Sequence, residues 1–397
     1  MRNLILGLCL VVVAAAREEE WAAIIDAGSE GSRIYVYAWP KEWSGKRVFV
    51  EPRTQPTWFH AQRPGISHFG NNMTNQIDGY MNPLLQFFAT ILTEERVPAD
   101  RWGEFRIFFK ATAGMRALSQ TVRDTIMQHV RQTLSQSAFL FDPAMALTIS
   151  GEEEGVFSFL SANYAKGTLL ALEPRNSWGV LDLGGASAQI AFRPQDQDIL
   201  HGFYQLRLRG RNLRLYVHSG LGLGRKLARK QLHNSPCEAG HFAQCRTAQE
   251  ALIRSFQGTQ NHPLIGTSQF VAIGAFGEIV LTQLQLAQNA SPAEIYQAAE
   301  RHCATGNDCF NALWVWTLLS KFYGFSAHSR QIEFQTRTAE TAIGGILFEA
   351  NNYPWSLEDP CLTSQPTWMI FIVATSLCFL ALVVVCAFFR PSPIESS

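Results

Sequence analysis

The sequence predicts an α/β protein with two duplicated lobes that face each other across a cleft. A short apolar run ends at Asp26 and leads through a glycine turn into an alternating, strand-like segment. The same order of features begins again at Asp182, 156 residues later, and Ile34 and Ile190 stand at equal distances from the two aspartates. Such self-similarity indicates a repeated structural unit.

Strand and helix patterns alternate within each copy. Arg33–Trp39 alternates as a strand, and Val48–Val50 is predicted to be the third strand of an antiparallel meander. Helical spacing predicts helices near Gly79–Leu92 and Leu118–Ser135, and a further helix that opens at Val156. These patterns favour two duplicated α/β lobes.

Composition limits the class of protein. The chain has 397 residues, of which 47% are apolar and 17% charged, which is typical of a globular protein long enough for two domains. Lysine plus arginine equals aspartate plus glutamate, at 33 each, so the formal net charge is zero. Zero net charge argues against non-specific nucleic-acid binding, which needs a basic surface.

Residues 1–16 read as a secretory signal peptide. Arg2 supplies the positive region, Leu4–Val13 the apolar segment, and Ala14–Ala16 the small residues of a cleavage site. An uncleaved membrane anchor is the alternative, although about 13 apolar residues are short for a bilayer.

Residues 368–389 form an uncharged run of 22 residues that predicts a transmembrane helix. Trp368 stands at one interface and Arg390 ends the run at the other, and a buried core helix is the alternative. Together with a signal peptide, this span places the body in a lumenal or extracellular space and leaves residues 390–397 as a cytosolic tail. In that topology Asn72-Met73-Thr74 is a usable glycosylation site.

The cysteines of the body agree with an oxidising compartment. Two close pairs, Cys237 with Cys245 and Cys303 with Cys309, suit short-loop disulfides. Cys361 is left over, either free or bonded to another chain. Zinc binding is the alternative, but neither pair has the two-residue spacing typical of zinc sites.

The segment Asp26–Arg33 is a candidate phosphate loop. Its glycines let the backbone approach an anion, and its serines add hydrogen-bond donors. Because an aspartate beside a phosphate is repulsive, Asp26 implies a divalent cation between the two. An ordinary glycine hairpin is the alternative.

The segment Asp182–Gln189 repeats this pattern. Ser187 and Gln189 lie two apart on a strand, so their side chains share one face and are placed to hold one water in line with a phosphorus atom. A hairpin with solvent-facing polar residues is the alternative.

Two further segments join strands to helices. Lys110–Arg116 ends a strand with small residues, and a helix start of this kind binds anions. Gly151–Gly155 carries three glutamates before the predicted helix. They either compensate the helix dipole or supply the base that takes a proton from water.

Taken together, these four segments resemble the conserved regions of the apyrase, or ecto-nucleoside triphosphate diphosphohydrolase, family, in the same order. The resemblance covers about residues 20–355, and the Asp-Leu-Gly-Gly-Ala-Ser block at 182–187 is highly specific. A fifth, looser match runs through Phe270–Phe276 and Ile343–Gly345.

The resemblance implies an actin-like fold of two lobes and the hydrolysis of nucleoside tri- or diphosphates with Ca²⁺ or Mg²⁺. It implies that Glu154 is the general base, that Ser187 and Gln189 position the attacking water, and that Asp26 and Asp182 hold the metal through water. The implied phosphate contacts are Ser29, Glu30, Gly31, Ser32, Arg33, Thr112, Ala113, Gly184, Gly185 and Ala186. Lobe I is then expected at 20–155, lobe II at 156–335, and a return segment to lobe I at 336–360.

The chain departs from the family pattern at two positions. Glu30 replaces a serine or threonine beside the phosphate, so its carboxylate repels substrate unless it points away or binds the cation. Thr341 stands where a tryptophan is frequent, so nucleobase contacts are expected to differ. Pro64–Ser67 is more similar to the Golgi or lysosomal members than to the cell-surface ones.

A basic stretch, Arg207–Lys230, has eight lysines or arginines in 24 residues. It is interpreted as a solvated lobe face or a rim that partly attracts anionic substrate, with direct phosphate or membrane contact as the alternative.

These observations predict a membrane-anchored enzyme that removes terminal phosphate from nucleotides. An actin-like sugar kinase shares both phosphate loops, but it would work in the cytosol, which the predicted signal and membrane span oppose. A nucleotide-binding receptor with a silent site is the third possibility, because of Glu30. The oligomeric state does not follow from the sequence.

Overall fold

A computed structural model of the chain describes most of the residues before Tyr353. The described ranges are 18–41, 49–70, 76–171, 173–195, 198–208, 211–232, 237, 241–257, 265–266, 268–305, 309–336 and 341–352. The predicted signal peptide, membrane helix and cytosolic tail lie outside these ranges, as do Cys361 and the Asn72 glycosylation site. Within them, no helix is both long and apolar enough to cross a membrane.

The first sheet has five strands in the order β3-β2-β1-β4-β5. Their bounds are β1 Glu19–Ala27, β2 Ser32–Pro40, β3 Phe59–Gln62, β4 Arg106–Ala111 and β5 Ala146–Thr148. The first three strands form an antiparallel meander, and β4 and β5 add on in parallel.

The prediction of a third strand at Val48–Val50 is wrong. The third strand is β3, and Phe49 and Val50 are buried outside any strand. The Val50 amide donates a hydrogen bond to Asn351 Oδ1 (2.9 Å), more than 300 residues away. This short apolar run therefore packs and bonds against a distant helix rather than against its neighbouring strand.

The second sheet has six strands in the order β11-β10-β6-β7-β9-β8. Their bounds are β6 Gly179–Leu183, β7 Ser187–Phe192, β8 Phe203–Leu208, β9 Arg211–Leu221, β10 Phe270–Gly274 and β11 Ile332–Phe334. Here too a hairpin, β6–β7, begins the sheet; β10 then pairs with β6 in parallel, and β11 pairs with β10 in parallel.

The two hairpins are equivalent in detail. The Gly28 amide donates to the Gly31 carbonyl, and the Gly184 amide donates to the Ser187 carbonyl, both at 3.0 Å. The central order β2-β1-β4-β5 matches β7-β6-β10-β11. The structure thus confirms two mixed α/β units, an arrangement consistent with the actin-like architecture that the resemblance implies.

Ten α-helices within the described residues surround these sheets. Their bounds are α1 Ile77–Glu94, α2 Ala113–Arg116, α3 Gln120–Ser135, α4 Gly151–Ala165, α5 Arg225–Gln231, α6 Phe242–Gln257, α7 Ala275–Gly277, α8 Pro292–Ala304, α9 Phe310–Thr317 and α10 Thr341–Asn352. One core packs α1 and α3 on the first sheet, and a second packs α6, α8 and α9 on the second sheet. The predicted helices at 79–92 and 118–135 are confirmed.

Helix α4 lies on the other face of the second sheet, beneath α10. It is buried almost all round from Gly155 to Asn163, as expected of a helix packed on several sides. It begins at Gly151, five residues earlier than predicted, because Ser150 caps it by accepting a hydrogen bond from the Glu153 amide (3.0 Å). The three glutamates therefore form its first turn.

Both predicted disulfides are present. Cys237 bonds to Cys245 with a Cα–Cα distance of 4.5 Å, and Cys303 bonds to Cys309 with a distance of 4.9 Å. The Cys309 amide also donates to the Cys237 carbonyl (3.3 Å), so the two bridges lie side by side.

Close packing of α10 on α4 depends on Gly344, and this gives a first prediction. A Cβ at Gly344 would lie 1.8 Å from the Phe157 carbonyl oxygen, whereas a Cβ at Gly79 of α1 would meet nothing within 4 Å. We expect Gly344→Ala to lower the free energy of unfolding by about 1–3 kcal/mol through overpacking. Gly79→Ala should leave it unchanged or raise it slightly, because alanine favours helix. Thermal unfolding of both variants checks this, and equal midpoints would contradict the packing account.

Candidate active site

A cavity of about 430 Å³ lies where the two hairpin loops meet. The carboxyl ends of β1, β4, β6 and β10 all point toward it, which is the usual place for a ligand in open α/β sheets. Its lining includes Asp26, Gly28, Ser29, Glu30, Arg33, Tyr35, Thr112, Ala113, Glu154, Asp182, Gly184, Gly185, Ala186, Ser187, Arg225, Gly274, Glu278, Thr282, Thr336 and Thr341.

The first loop brings part of its predicted set to the cavity. Asp26, at the end of β1, lies 3.8 Å from the Arg33 guanidinium. Ser29, Glu30 and Arg33 line the cavity, but Gly31 and Ser32 do not. Ser32 is fully buried, and its amide donates to the Tyr80 hydroxyl (3.0 Å), so these two residues shape the hairpin rather than face the cavity.

The second loop lies directly against the first. Gly184, Gly185 and Ala186 line the cavity, as do Thr112 and Ala113 of the β4–α2 turn. A Cβ at Gly185 would lie 2.6 Å from Ser29 Oγ, so glycine here lets the second loop pack closely against the Ser29 side chain of the first.

The three predicted catalytic side chains come together. Gln189 Nε2 donates to Glu154 Oε2 at 3.0 Å and contacts Ser187 Oγ at 2.6 Å. Glu154 and Ser187 line the cavity, while Gln189 stands behind them, buried to 1% exposure. This is one hydrogen-bonded cluster, built from α4 and β7.

Arg116 is a residue to which the sequence analysis gave no role. Its guanidinium Nη2 donates to Glu154 Oε2 (2.7 Å) and to Ser187 Oγ (3.3 Å), and its Nη1 donates to the Ile149 carbonyl (3.1 Å). The Lys110–Arg116 segment was predicted to be an anion-binding helix start. The contact of Arg116 with Glu154 could not be predicted, because Glu154 is 38 residues further along the chain.

Ser158 and Ser219 were missed as well. Ser158 lies one helical turn after Glu154 on α4, and its hydroxyl donates to Asp182 Oδ2 (2.9 Å). Ser219, on β9, accepts from Gln189 Nε2 (3.2 Å). Helical spacing after Glu154 would have been enough to find Ser158.

Burial raises the pKa of three carboxyl groups in this cavity. The pKa of Asp182 rises to about 7 because of burial and the charges of Glu154 and Asp26, with the Ser158 hydrogen bond opposing. The pKa of Asp26 rises to about 6 because of burial, reinforced by Glu154 and opposed by Arg33. Burial also raises the pKa of Glu154 against the opposing charge and hydrogen bond of Arg116.

The cavity is acidic although the predicted substrate is an anion. Among the described residues that line it, five are acids and two are arginines. The acids are Asp26, Glu30, Glu154, Asp182 and Glu278. A divalent cation would offset this excess of negative charge.

Asp26 and Asp182 fit such a cation through their chemistry. No group of three or more His, Cys, Asp or Glu side chains in the described part of the chain forms a metal cage. Mg²⁺, however, is usually held by one or two carboxylates together with waters and substrate phosphates, and Ca²⁺ also takes oxygen ligands. Two partly buried aspartates of raised pKa match that donor set.

Glu30 does not project freely at the substrate. Its Oε1 lies 3.0 Å from Lys226 Nζ and 3.8 Å from Arg225 Nη2, at the start of α5. Burial raises the pKa of Glu30, but the hydrogen bond from Lys226 and the charges of Lys226, Arg225 and Arg33 outweigh it and lower the pKa overall. Part of the basic stretch Arg207–Lys230 thus reaches the site, with Arg225 on the cavity lining.

The described residues form two mixed α/β sheets with equivalent central strand order, which is consistent with an actin-like fold of two lobes. A crystal structure of nucleoside triphosphate hydrolases from Neospora caninum is similar, with a TM-score of 0.61 at 15% sequence identity, covering 84% of this chain and 93% of that one. At this identity the likeness shows the fold alone.

The chain belongs to the GDA1/CD39 (nucleoside phosphatase) family, whose sequence model matches residues 12–254. It is 26% identical to ectonucleoside triphosphate diphosphohydrolase 1 of Bos taurus, over 94% of this chain and 90% of the relative. It is 32% identical to the Golgi apyrase of Saccharomyces cerevisiae, over 45% of this chain and 30% of the relative. The family predicted from the sequence motifs is confirmed.

The raised pKa of Asp182 gives a second prediction. A carboxyl group whose pKa is about 7 in the folded chain and 3.8 otherwise contributes stability at low pH, which is lost as the pH rises through 7. With a chelator present, Asp182→Asn should therefore unfold at a higher temperature than the wild type at pH 8, with a smaller difference at pH 5. The exposed Asp124→Asn is the control, and an Asp182→Asn protein that is no more stable at pH 8 would contradict the charge account.

Proposed function

We propose that this chain hydrolyses the terminal phosphate of nucleoside tri- or diphosphates, with a divalent cation as cofactor and Glu154 as the general base. The observation that carries this proposal is the hydrogen-bonded cluster of Glu154, Ser187 and Gln189 between the two aspartate loops. Membership of a nucleoside phosphatase family and the relatives named apyrase support it.

In this proposal Ser187, supported from behind by Gln189, holds the attacking water, and Glu154 takes the proton of that water. Glu154 Oε2 already accepts hydrogen bonds from Arg116 and Gln189, so we propose that the other oxygen, Oε1, takes the proton. The opposing effects of burial and Arg116 suit a base that works near neutral pH, because burial raises proton affinity and Arg116 limits the rise.

Asp26 and Asp182 are proposed to hold Ca²⁺ or Mg²⁺ through water. When bound, the cation supplies neutralisation of charge on the transferring phosphoryl group. Ser158 orients Asp182, and Arg33 lies beside Asp26. Two aspartates at equivalent hairpin positions thus become the two halves of one cation site.

The phosphate contacts are proposed to come from both loops and from the β4–α2 turn. Ser29, Gly184–Ala186 and Thr112–Ala113 line the cavity and offer hydroxyls and backbone amides. Gly31 and Ser32 are proposed to act indirectly, through the hairpin that Tyr80 supports.

A lumenal or extracellular body on a single membrane helix is the proposed location. The disulfides Cys237–Cys245 and Cys303–Cys309 suit an oxidising compartment. Two relatives carry names that refer to ecto-enzymes and to the Golgi. The predicted signal peptide and membrane helix at 368–389 complete this proposal.

The general base is tested by Glu154→Gln in the purified full-length chain. Removing a positioned base is expected to lower phosphate release from ATP, ADP or UDP about 10²- to 10⁴-fold. Glu152→Gln is the matched control, since Glu152 lies in the same helical turn but is exposed. Unchanged turnover in Glu154→Gln would remove Glu154 from the mechanism.

The cation is tested by chelation. Phosphate release should stop in excess chelator and return with added Ca²⁺ or Mg²⁺, because the acidic lining repels an uncompensated nucleotide. Asp26→Asn and Asp182→Asn should need a higher concentration of cation for half-maximal rate. Turnover that persists in chelator contradicts the proposal. The same assay separates the alternatives, because a sugar kinase would release little free phosphate without an acceptor and a silent receptor would bind nucleotide without releasing phosphate.

A further inference from the structure

An ion pair joins the first phosphate loop to the start of helix α5, which is itself hydrogen-bonded to the second phosphate loop. Glu30 belongs to the loop of the first sheet, while Lys226 and Arg225 open α5, which follows the second sheet. The Glu30 carboxylate lies 3.0 Å from Lys226 Nζ and 3.8 Å from the Arg225 guanidinium. The other terminal nitrogen of the Arg225 guanidinium, Nη1, lies 3.5 Å from Glu278 Oε2.

The basic end of this pair is fixed to the second loop. In the first turn of α5, the amide of Arg225 donates to the Gly184 carbonyl (2.9 Å), and the amides of Lys226 and Leu227 donate to the Gly185 carbonyl (2.9 and 3.1 Å). Gly224 permits this contact, since a Cβ there would lie 2.3 Å from the backbone of Ala186 and Ser187. The loop and the first turn of α5 therefore form one rigid piece.

The acidic end is fixed to the first loop. Glu30 stands inside the turn that the Gly28 amide closes onto the Gly31 carbonyl (3.0 Å), and the next residue but one, Ser32, is held by Tyr80. The Glu30 carboxylate also lies 3.3 Å from the position of a Cβ on Gly185. Both ends of the ion pair are thus anchored, and the pair spans the junction between the loops.

We propose that Glu30 and Lys226 are positioning residues, whose ion pair sets the separation of the two phosphate loops. The inference rests on the proposed function, since loop separation matters only if both loops act on one substrate. Contacts from both loops to one transferring phosphate require a defined separation, and small misplacements reduce the rate. The pair also cancels the Glu30 charge that would otherwise repel the nucleotide.

The contrary interpretation is that Glu30 acts alone as a repulsive charge. The two interpretations predict opposite effects. If the Glu30 carboxylate repels the nucleotide, Glu30→Gln should bind the nucleotide more tightly and show a lower KM. A positioning pair makes Glu30→Gln and Lys226→Gln similar, with a lower kcat, because an interaction needed in the transition state is weakened.

The kinetic test uses the full-length chain with ATP, ADP and a divalent cation. Each single change should lower kcat about two- to fivefold, the range of a partly exposed ion pair. The charge reversal Glu30→Lys with Lys226→Glu should recover part of that loss. Lys230→Gln is the matched control, because Lys230 is exposed on the same helix and does not line the cavity. A lower KM in Glu30→Gln, or no recovery on charge reversal, overturns the proposal.

A second measurement does not depend on turnover. Thermal unfolding of the wild type, Glu30→Gln, Lys226→Gln and the double variant forms a double-mutant cycle. Each single change should lower the midpoint by about 1–3 °C, and the double variant should fall no further than a single one. If the midpoint of the double variant falls by the sum of the two single shifts, the proposed ion pair is overturned. If the wild type releases no phosphate while the cycle shows coupling, the proposed function fails and the bridge between the loops stands.

Discussion

Negative charge buried in one cavity is the constraint on which the rest of the site depends. Asp26, Glu154 and Asp182 come from three different elements; the charge of Glu154 helps to raise the pKa of both aspartates, and the charge of Asp26 helps to raise that of Asp182. Such a cluster is costly unless its charge is paired or hydrogen-bonded. Arg116, Ser158 and Gln189 partly offset it within the chain. The remaining excess explains why we propose that cation and nucleotide bind together.

The repeated sheets make this arrangement possible. Because each sheet begins with the same hairpin, each places an aspartate at the end of its first strand. The two loops meet where Gly185 packs against the Ser29 side chain. Helix α4 then supplies Glu154 from its first turn and Ser158 from its second. Its burial beneath α10 fixes both side chains, so the packing of Gly344 on Phe157 contributes to their position.

Local patterns in the sequence predicted the parts of the fold that local forces decide. The Asp-x-Gly hairpins, the helices at 79–92 and 118–135, and the two short-range disulfides all follow from spacing within a few residues. The strand predicted at Val48–Val50 was wrong because a short apolar run does not reveal its partner. The Val50 amide bonds to Asn351 of helix α10 instead of to a strand. The α4 start was predicted too late because the three glutamates were placed before the helix, although Ser150 is a good helix cap.

In the candidate site, too, features set by local sequence were predicted and those set by distant residues were not. Glu154, Ser187 and Gln189 were predicted together and are in contact. The burial of Ser32 and the neutralisation of Glu30 by Lys226 did not follow from the sequence, since both depend on residues 48 and 196 positions away. Glu30 had argued for a silent site, and its ion pair removes that argument.

The stereochemical course at phosphorus tests the central claim most directly. The claim is that a partly buried carboxylate, Glu154, activates water for a single in-line displacement and does not itself attack the phosphate. Hydrolysis of a nucleoside triphosphate with a chiral, isotopically labelled terminal thiophosphate, in ¹⁸O-water, measures this. The account predicts inversion of configuration at the released phosphorus. Retention, which indicates two displacements through a covalent phosphoryl-enzyme, would contradict it.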